Sequence, residues 1–118
     1  MKLRISMALA AFLASTGLAQ AGCDFFEHND LGGASLALAD GECAILAGNN
    51  TAGCEGLPAK TVSGWNDRIS SVRLNHNSRA FLKQHGDGGG LVATVVGNRG
   101  VKKLDGFNDE ASVILCRQ

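Results

Sequence analysis

The sequence predicts an all-β domain, a sandwich or barrel, tied by disulfides. Six short apolar or alternating runs, "DFFEH", "ASLALA", "SVRLNH", "RAFLKQ", "LVATVV" and "SVILC", are separated by clusters of Gly, Asn and Asp. That spacing belongs to compact β-sheet proteins. Sixteen glycines against one proline suit tight turns with positive φ. Four cysteines, Cys23, Cys43, Cys54 and Cys116, read as two disulfides in a small exported domain.

The segment 1–21 stands apart from the fold. Lys2 and Arg4 precede the apolar stretch "ISMALAAFLASTGLA", and Ala19-Gln20-Ala21 is a small-x-small cleavage pattern. This is the layout of a bacterial secretory signal peptide, so the mature chain is expected to be residues 22–118, secreted or periplasmic. Gly22-Cys23 raises the question of lipidation, but Gln20 stands where a lipoprotein signal carries an apolar residue. No later run is long and apolar enough to cross a membrane, so stable membrane insertion is not expected. Cleavage leaves room for one domain with one modest core. It also removes two cations and no anion, leaving none of the clustered basic charge that nucleic-acid binding requires.

Two phrases repeat. "GWNDRISSV" begins at Gly64 and "GFNDEASVI" at Gly106. Upstream of each lies a glycine-rich hairpin, "FFEHNDLGGASLAL" and "FLKQHGDGGGLVATV". Setting Phe26 on Leu82 aligns Gly33 with Gly89. The chain thus reads as a duplication. The first unit spans about residues 22–76 and the second about 77–118. The first carries an insertion around residues 40–62 that holds Cys43 and Cys54. A bridge across a loop of this size removes about 3 kcal/mol of unfolded-state entropy. Cys43–Cys54 is therefore the preferred pairing, which leaves Cys23–Cys116 to join the first strand to the last; two other connectivities remain open. A helical turn is expected only near Leu57–Lys60. Core positions are expected at Phe25, Leu36, Leu38, Trp65, Ile69, Val72 and Leu74 in the first unit. In the second they are Phe81, Val92, Val95, Leu104, Phe107, Val113 and Leu115.

These residues resemble a known family. "FFEHNDLGG" is similar to the opening loop of a βγ-crystallin Greek key. "WNDRISS" is similar to that family's calcium signature of two Asn/Asp residues, two free positions and two Ser/Thr. The resemblance covers essentially the whole mature chain. It implies a sandwich of two Greek keys, each lending one strand to the other's sheet, and two calcium sites side by side. In each site, hydroxyl and carbonyl come from one phrase, carboxylate from the other, and a further carbonyl from an opening loop. Carried onto this chain, the ligand set is Glu27, Asn66, Asp67, Arg68, Ser70, Lys83, Asn108, Asp109, Glu110 and Ser112. Calcium takes six to eight oxygen ligands in irregular geometry, and these residues supply oxygens. Arg68 places a cation in the first phrase where Glu110 places an anion in the second, so unequal affinities are expected. Asn-Asp and Ser also cap turns without any metal, and that is the competing explanation of the phrases.

Other features point to less. His28, His76 and His85 have no nucleophile and orienting acid beside them, so an enzyme is not expected. "GDGGG" lacks the Gly-Lys-Ser/Thr of a phosphate loop. "NNT" at Asn49–Thr51 fits a glycosylation acceptor by pattern alone. The expected activity is calcium binding by an exported monomer. The alternative is a secreted peptidase inhibitor or antimicrobial toxin, similar to small bacterial proteins of this architecture, with the Cys43–Cys54 loop (Ala44, Ile45, Leu46, Leu57) as its contact surface on a target such as a protease.

Overall fold

The computed structural model describes residues 22–118 apart from positions 76, 98, 99, 102, 105, 106 and 108. The proposed leader, His76 and Asn108 therefore lie outside the described residues. Among the described residues nine strands form two sheets: β1 (Gly22–His28), β2 (Gly32–Leu38), β3 (Glu42–Ile45), β4 (Ala59–Thr61), β5 (Ser71–Asn75), β6 (Arg79–Lys83), β7 (Val92–Val95), β8 (Gly100–Val101) and β9 (Val113–Arg117). One sheet has the order β2-β1-β5-β8 and the other β4-β3-β9-β6-β7. Strand β3 of the first half thus sits in the second half's sheet, paired with β9, while β8 of the second half sits beside β5. This reciprocal loan is the expected Greek-key exchange. The ninth strand, β4, comes from the insertion and runs parallel to β3. The expected helical turn at Leu57–Lys60 is instead the approach to this strand and its first two residues, and a short 3₁₀ turn lies earlier, at Ala52–Cys54.

Alternation along each strand sends every second side chain between the sheets. From one side come Cys23, Phe25, Leu38, Val72 and Leu74; from the other come Ala44, Leu46, Ala80, Leu82, Val95, Ile114 and Cys116. Trp65 and Leu36 pack at the edge of this core, and Ile69, Leu104 and Phe107 are buried in it. The expectation was wrong for part of the second half. Phe81, Val113 and Leu115 point to the outer face of the five-stranded sheet, and Val92 is 50 % exposed. Their neighbours Leu82, Ala93 and Ile114 take the places between the sheets. The slip is one residue, which in a strand exchanges the two faces.

The outer face is not left to water. Cys43, Ile45, Cys54, Val113 and Leu115 form a second buried cluster, with Leu57 and Phe81 packed against it. The insertion is the lid on this cluster. Ala44 on β3 and Leu46 just after it enter the main core, while Ile45 on β3 and Leu57 enter the second one, so the part of the insertion that lies over the cluster is the segment after β3. These side chains are consumed by the protein's own packing rather than offered as a contact patch. Both expected bridges form: Cys43–Cys54 within the insertion and Cys23–Cys116 between β1 and β9, hence between the two sheets.

Lys83 fastens the lid. It is 8 % exposed, and its Nζ donates to the Gly53 carbonyl at 2.8 Å and to Glu55 Oε2 at 2.7 Å. Arg117 Nη1 donates to the other Glu55 oxygen at 2.8 Å. The Lys83 hydrogen bond, aided by the charges of Lys83 and Arg117, holds the Glu55 carboxyl below its usual 4.5. A carboxyl depressed in the folded state adds stability above the unfolded value and loses it as pH falls through the folded one. Lys83→Met keeps the packed stem but removes the donors. It is expected to cost about 2 kcal/mol, the value of a hydrogen bond to a charged group, read as a lower urea midpoint. The same variant should flatten the loss of stability expected as pH falls below about 4.5.

Candidate metal centre

The two repeated phrases lie side by side at one end of the sandwich and are bonded to each other. Asp67 N donates to the Ala111 carbonyl and Asp109 N to the Ile69 carbonyl, each at 3.0 Å. Both aspartates have φ 58°, the left-handed conformation that a non-glycine residue adopts rarely and Asp more readily than most. That backbone turn brings the Asp109 carboxylate across to the other phrase, while the Asp67 carboxylate stays beside its neighbour Asn66. Accordingly, Ser70 Oγ donates to Asp109 Oδ1 at 3.0 Å. In the mirror position Ser112 Oγ donates to Asn66 Oδ1 at 2.7 Å, and Asn66 Nδ2 reaches Asp67 Oδ2 at 3.3 Å. The two serines are nearly buried while the aspartates are exposed, so hydroxyls form the floor and carboxylates the rim.

The opening loops close the sides. Ser70 N donates to the Phe26 carbonyl at 2.9 Å and Ser112 N to the Lys83 carbonyl at 2.8 Å. This pair of bonds makes Lys83, rather than Leu82, the counterpart of Phe26. Two further pairs agree. Gly33 lies against the His28 ring and Gly90 against the His85 ring, both at φ +75° and both too close for a Cβ. The counterpart of Glu27 is therefore Gln84, not Lys83. Glu27 forms an ion pair with Arg68, and Gln84 Nε2 donates to Glu110 Oε1 at 3.0 Å. Matching the two histidines, rather than two apolar residues, would have found Gln84 from the sequence.

Glu27, His28, Asp67, Arg68 and Asp109 line one open cleft of about 210 Å³. Arg68 also donates to the Gly64 carbonyl at 2.8 Å, so its guanidinium lies across the first phrase. The sequence-derived residues Glu27, Asn66, Asp67, Arg68, Ser70, Asp109, Glu110 and Ser112 gather around the two phrases. Lys83 contributes only its carbonyl to Ser112, its ammonium being committed beneath the insertion. Among the described residues no three His, Cys, Asp or Glu side chains close on one point, so a cation held here would draw on hydroxyl and backbone oxygens as well. An all-oxygen set of carboxylates, hydroxyls and carbonyls fits a hard cation such as calcium.

The chain matches no protein-family profile and no curated protein. Solved structures do resemble it. A βγ-crystallin domain from Flavobacterium johnsoniae is 25% identical with a TM-score of 0.57, covering 80% of this chain and 91% of that one. The βγ-crystallin domain of Abundant Perithecial Protein from Neurospora crassa, in its Ca2+-bound form, is 13% identical with a TM-score of 0.60, covering 83% and 89%. The N-terminal domain of protein S is 24% identical with a TM-score of 0.60, covering 81% and 94%. The chain has the βγ-crystallin fold. Within that βγ-crystallin fold, the segment after β3, tied back to it by Cys43–Cys54, covers the outer face of the second sheet with Cys54 and Leu57.

Proposed function

We propose that the chain is an exported calcium-binding module without turnover, its βγ-crystallin body stiffened by two ions and two disulfides. One observation supports this most: the crossed arrangement in which Ser70 of one phrase meets Asp109 of the other, with Glu27 and Arg68 at the same cleft. A turn whose only duty was local capping would have no need to send a carboxylate into the other repeat. The first ion would be held by Ser70, Asp109 and the carbonyls of Glu27 and Arg68. The second would be held by Ser112, Asp67 and the carbonyls of Glu110 and Gln84, the last replacing Lys83. Asn66, bonded to both Ser112 and Asp67, positions the second set.

Affinity in the micromolar to millimolar range is expected, that of sensors and extracellular modules. Calorimetric titration of the mature protein should show calcium binding at about two sites per chain. Thermal unfolding should shift upward in calcium relative to chelator, because a ligand that prefers the folded state stabilises it. The absence of both heat and shift in millimolar calcium would refute the proposal. The first site should be the weaker one, since Arg68 opposes a second cation there. Arg68→Ala is expected to tighten one of the two sites about threefold or more at low ionic strength, with less gain in high salt.

A further inference from the structure

The first described residue of β1 is buried in an unusual way. Gly22 N donates to Ser78 Oγ at 2.9 Å, and Ser78 Oγ donates to Asp40 Oδ1 at 2.7 Å. The other carboxylate oxygen, Asp40 Oδ2, is buried with no hydrogen-bond partner among the described residues. The three residues come from separate segments: the start of β1, the turn after β2 and the turn before β6. A buried carboxylate oxygen without a donor is costly, so this cradle lacks a donor, and a cation would serve best. Gly22 has φ 141°, and a Cβ there would stand 2.6 Å from the Leu38 carbonyl. Only glycine fits the position.

Gly22 is also the residue that follows the Ala19-Gln20-Ala21 cleavage pattern. We infer that Gly22, Ser78 and Asp40 form a receptor for the α-ammonium group released at Gly22 when the leader is removed, so that processing completes the fold electrostatically. The inference rests on the export reading above. Hydrolysis of the Ala21–Gly22 bond consumes one water and leaves a carboxylate on Ala21 and an amine on Gly22. That amine is mostly protonated at neutral pH. The peptide N–H has one hydrogen, already given to Ser78; the ammonium has three, and its charge complements Asp40. Cleavage one residue later, before Cys23, would remove the glycine that fits. Cys23 is in any case joined to Cys116, which leaves no thiol there for a lipid.

The test uses three chains. The full-length chain is expressed in an exporting host and the processed protein isolated; mass spectrometry then reads its first residue, which checks the export reading separately. Two further chains are released from a fusion partner, one beginning at Gly22 and one retaining Ala21, and their thermal unfolding is compared with disulfides intact. The chain beginning at Gly22 should melt about 5 °C or more above the chain retaining Ala21. In an Asp40→Asn background that gap should close. Equal melting of the two chains, or a gap unchanged by Asp40→Asn, overturns the inference whatever the spectrometer reports. Should Asp40→Asn fail to fold, cyanate labelling of the Gly22 amine decides the matter. Labelling at least tenfold slower in the native protein than in guanidinium supports the receptor, and equal rates overturn it.

Discussion

Removing the Cys23–Cys116 bridge by Cys23→Ala with Cys116→Ala should destabilise the protein by about 4–5 kcal/mol. The two cysteines are 93 residues apart, so nearly the whole described chain is the loop being closed, and the entropy of closing a loop rises with its length. Both side chains are fully buried in the main core, and the smaller alanines leave voids as well. A domain of this size commonly has a total stability of about 5–10 kcal/mol. The double variant should therefore be largely unfolded well below the melting point of its parent, as circular dichroism on heating would show. Breaking Cys43–Cys54 should be milder, about 3 kcal/mol, because its loop is short. The loss should be concentrated in the insertion, with faster amide exchange in β3 and β4 than in β1 and β5. Equal damage from the two bridges would mean that the insertion is not a separable lid.

Asp109→Asn should weaken one calcium site at least tenfold, about 1.4 kcal/mol, while leaving melting in chelator nearly unchanged. Asparagine is isosteric, tolerates the left-handed conformation at φ 58°, and still offers an oxygen to the Ser70 hydroxyl. What it lacks is the charge, and calcium sites are tuned by ligand charge. The change thus separates a metal ligand from a structural turn residue. Asp67→Asn is the matching change for the other site, and the double variant should show no calcium-dependent rise in melting temperature. If Asp109→Asn instead binds calcium like the parent, the crossed carboxylate is a structural feature and the assignment of the first site fails. A fall in stability equal in chelator and in calcium would lead to the same conclusion.

Much of this was legible beforehand because local chemistry wrote it twice. The duplicated Asn-Asp phrases, the glycine-rich hairpins and the cysteines in the insertion required no knowledge of packing to notice. Each follows from what a single short segment needs: an αL-tolerant residue at the turn, room beside a ring, a crosslink where apolar surface is scarce. They led to the all-β class, the two bridges and the residues around the cleft. Gln84 was lost to a one-residue error in aligning the two opening loops, although His28 and His85 mark the register.

Tertiary structure alone decided which face of the second sheet is the core. In β9 the run Val113-Ile114-Leu115-Cys116 is apolar at every position, and in β6 Phe81 and Leu82 are both large and apolar. Period-two alternation selects a face only where one side meets water. Here the disulfide-tied insertion covers the outer side, so both faces are buried and the pattern falls silent. The same long-range docking set the fate of Lys83, whose ammonium is held under the insertion by Gly53 and Glu55. Neither outcome is encoded near the residues concerned, since each depends on a segment distant in the chain coming to rest on the sheet.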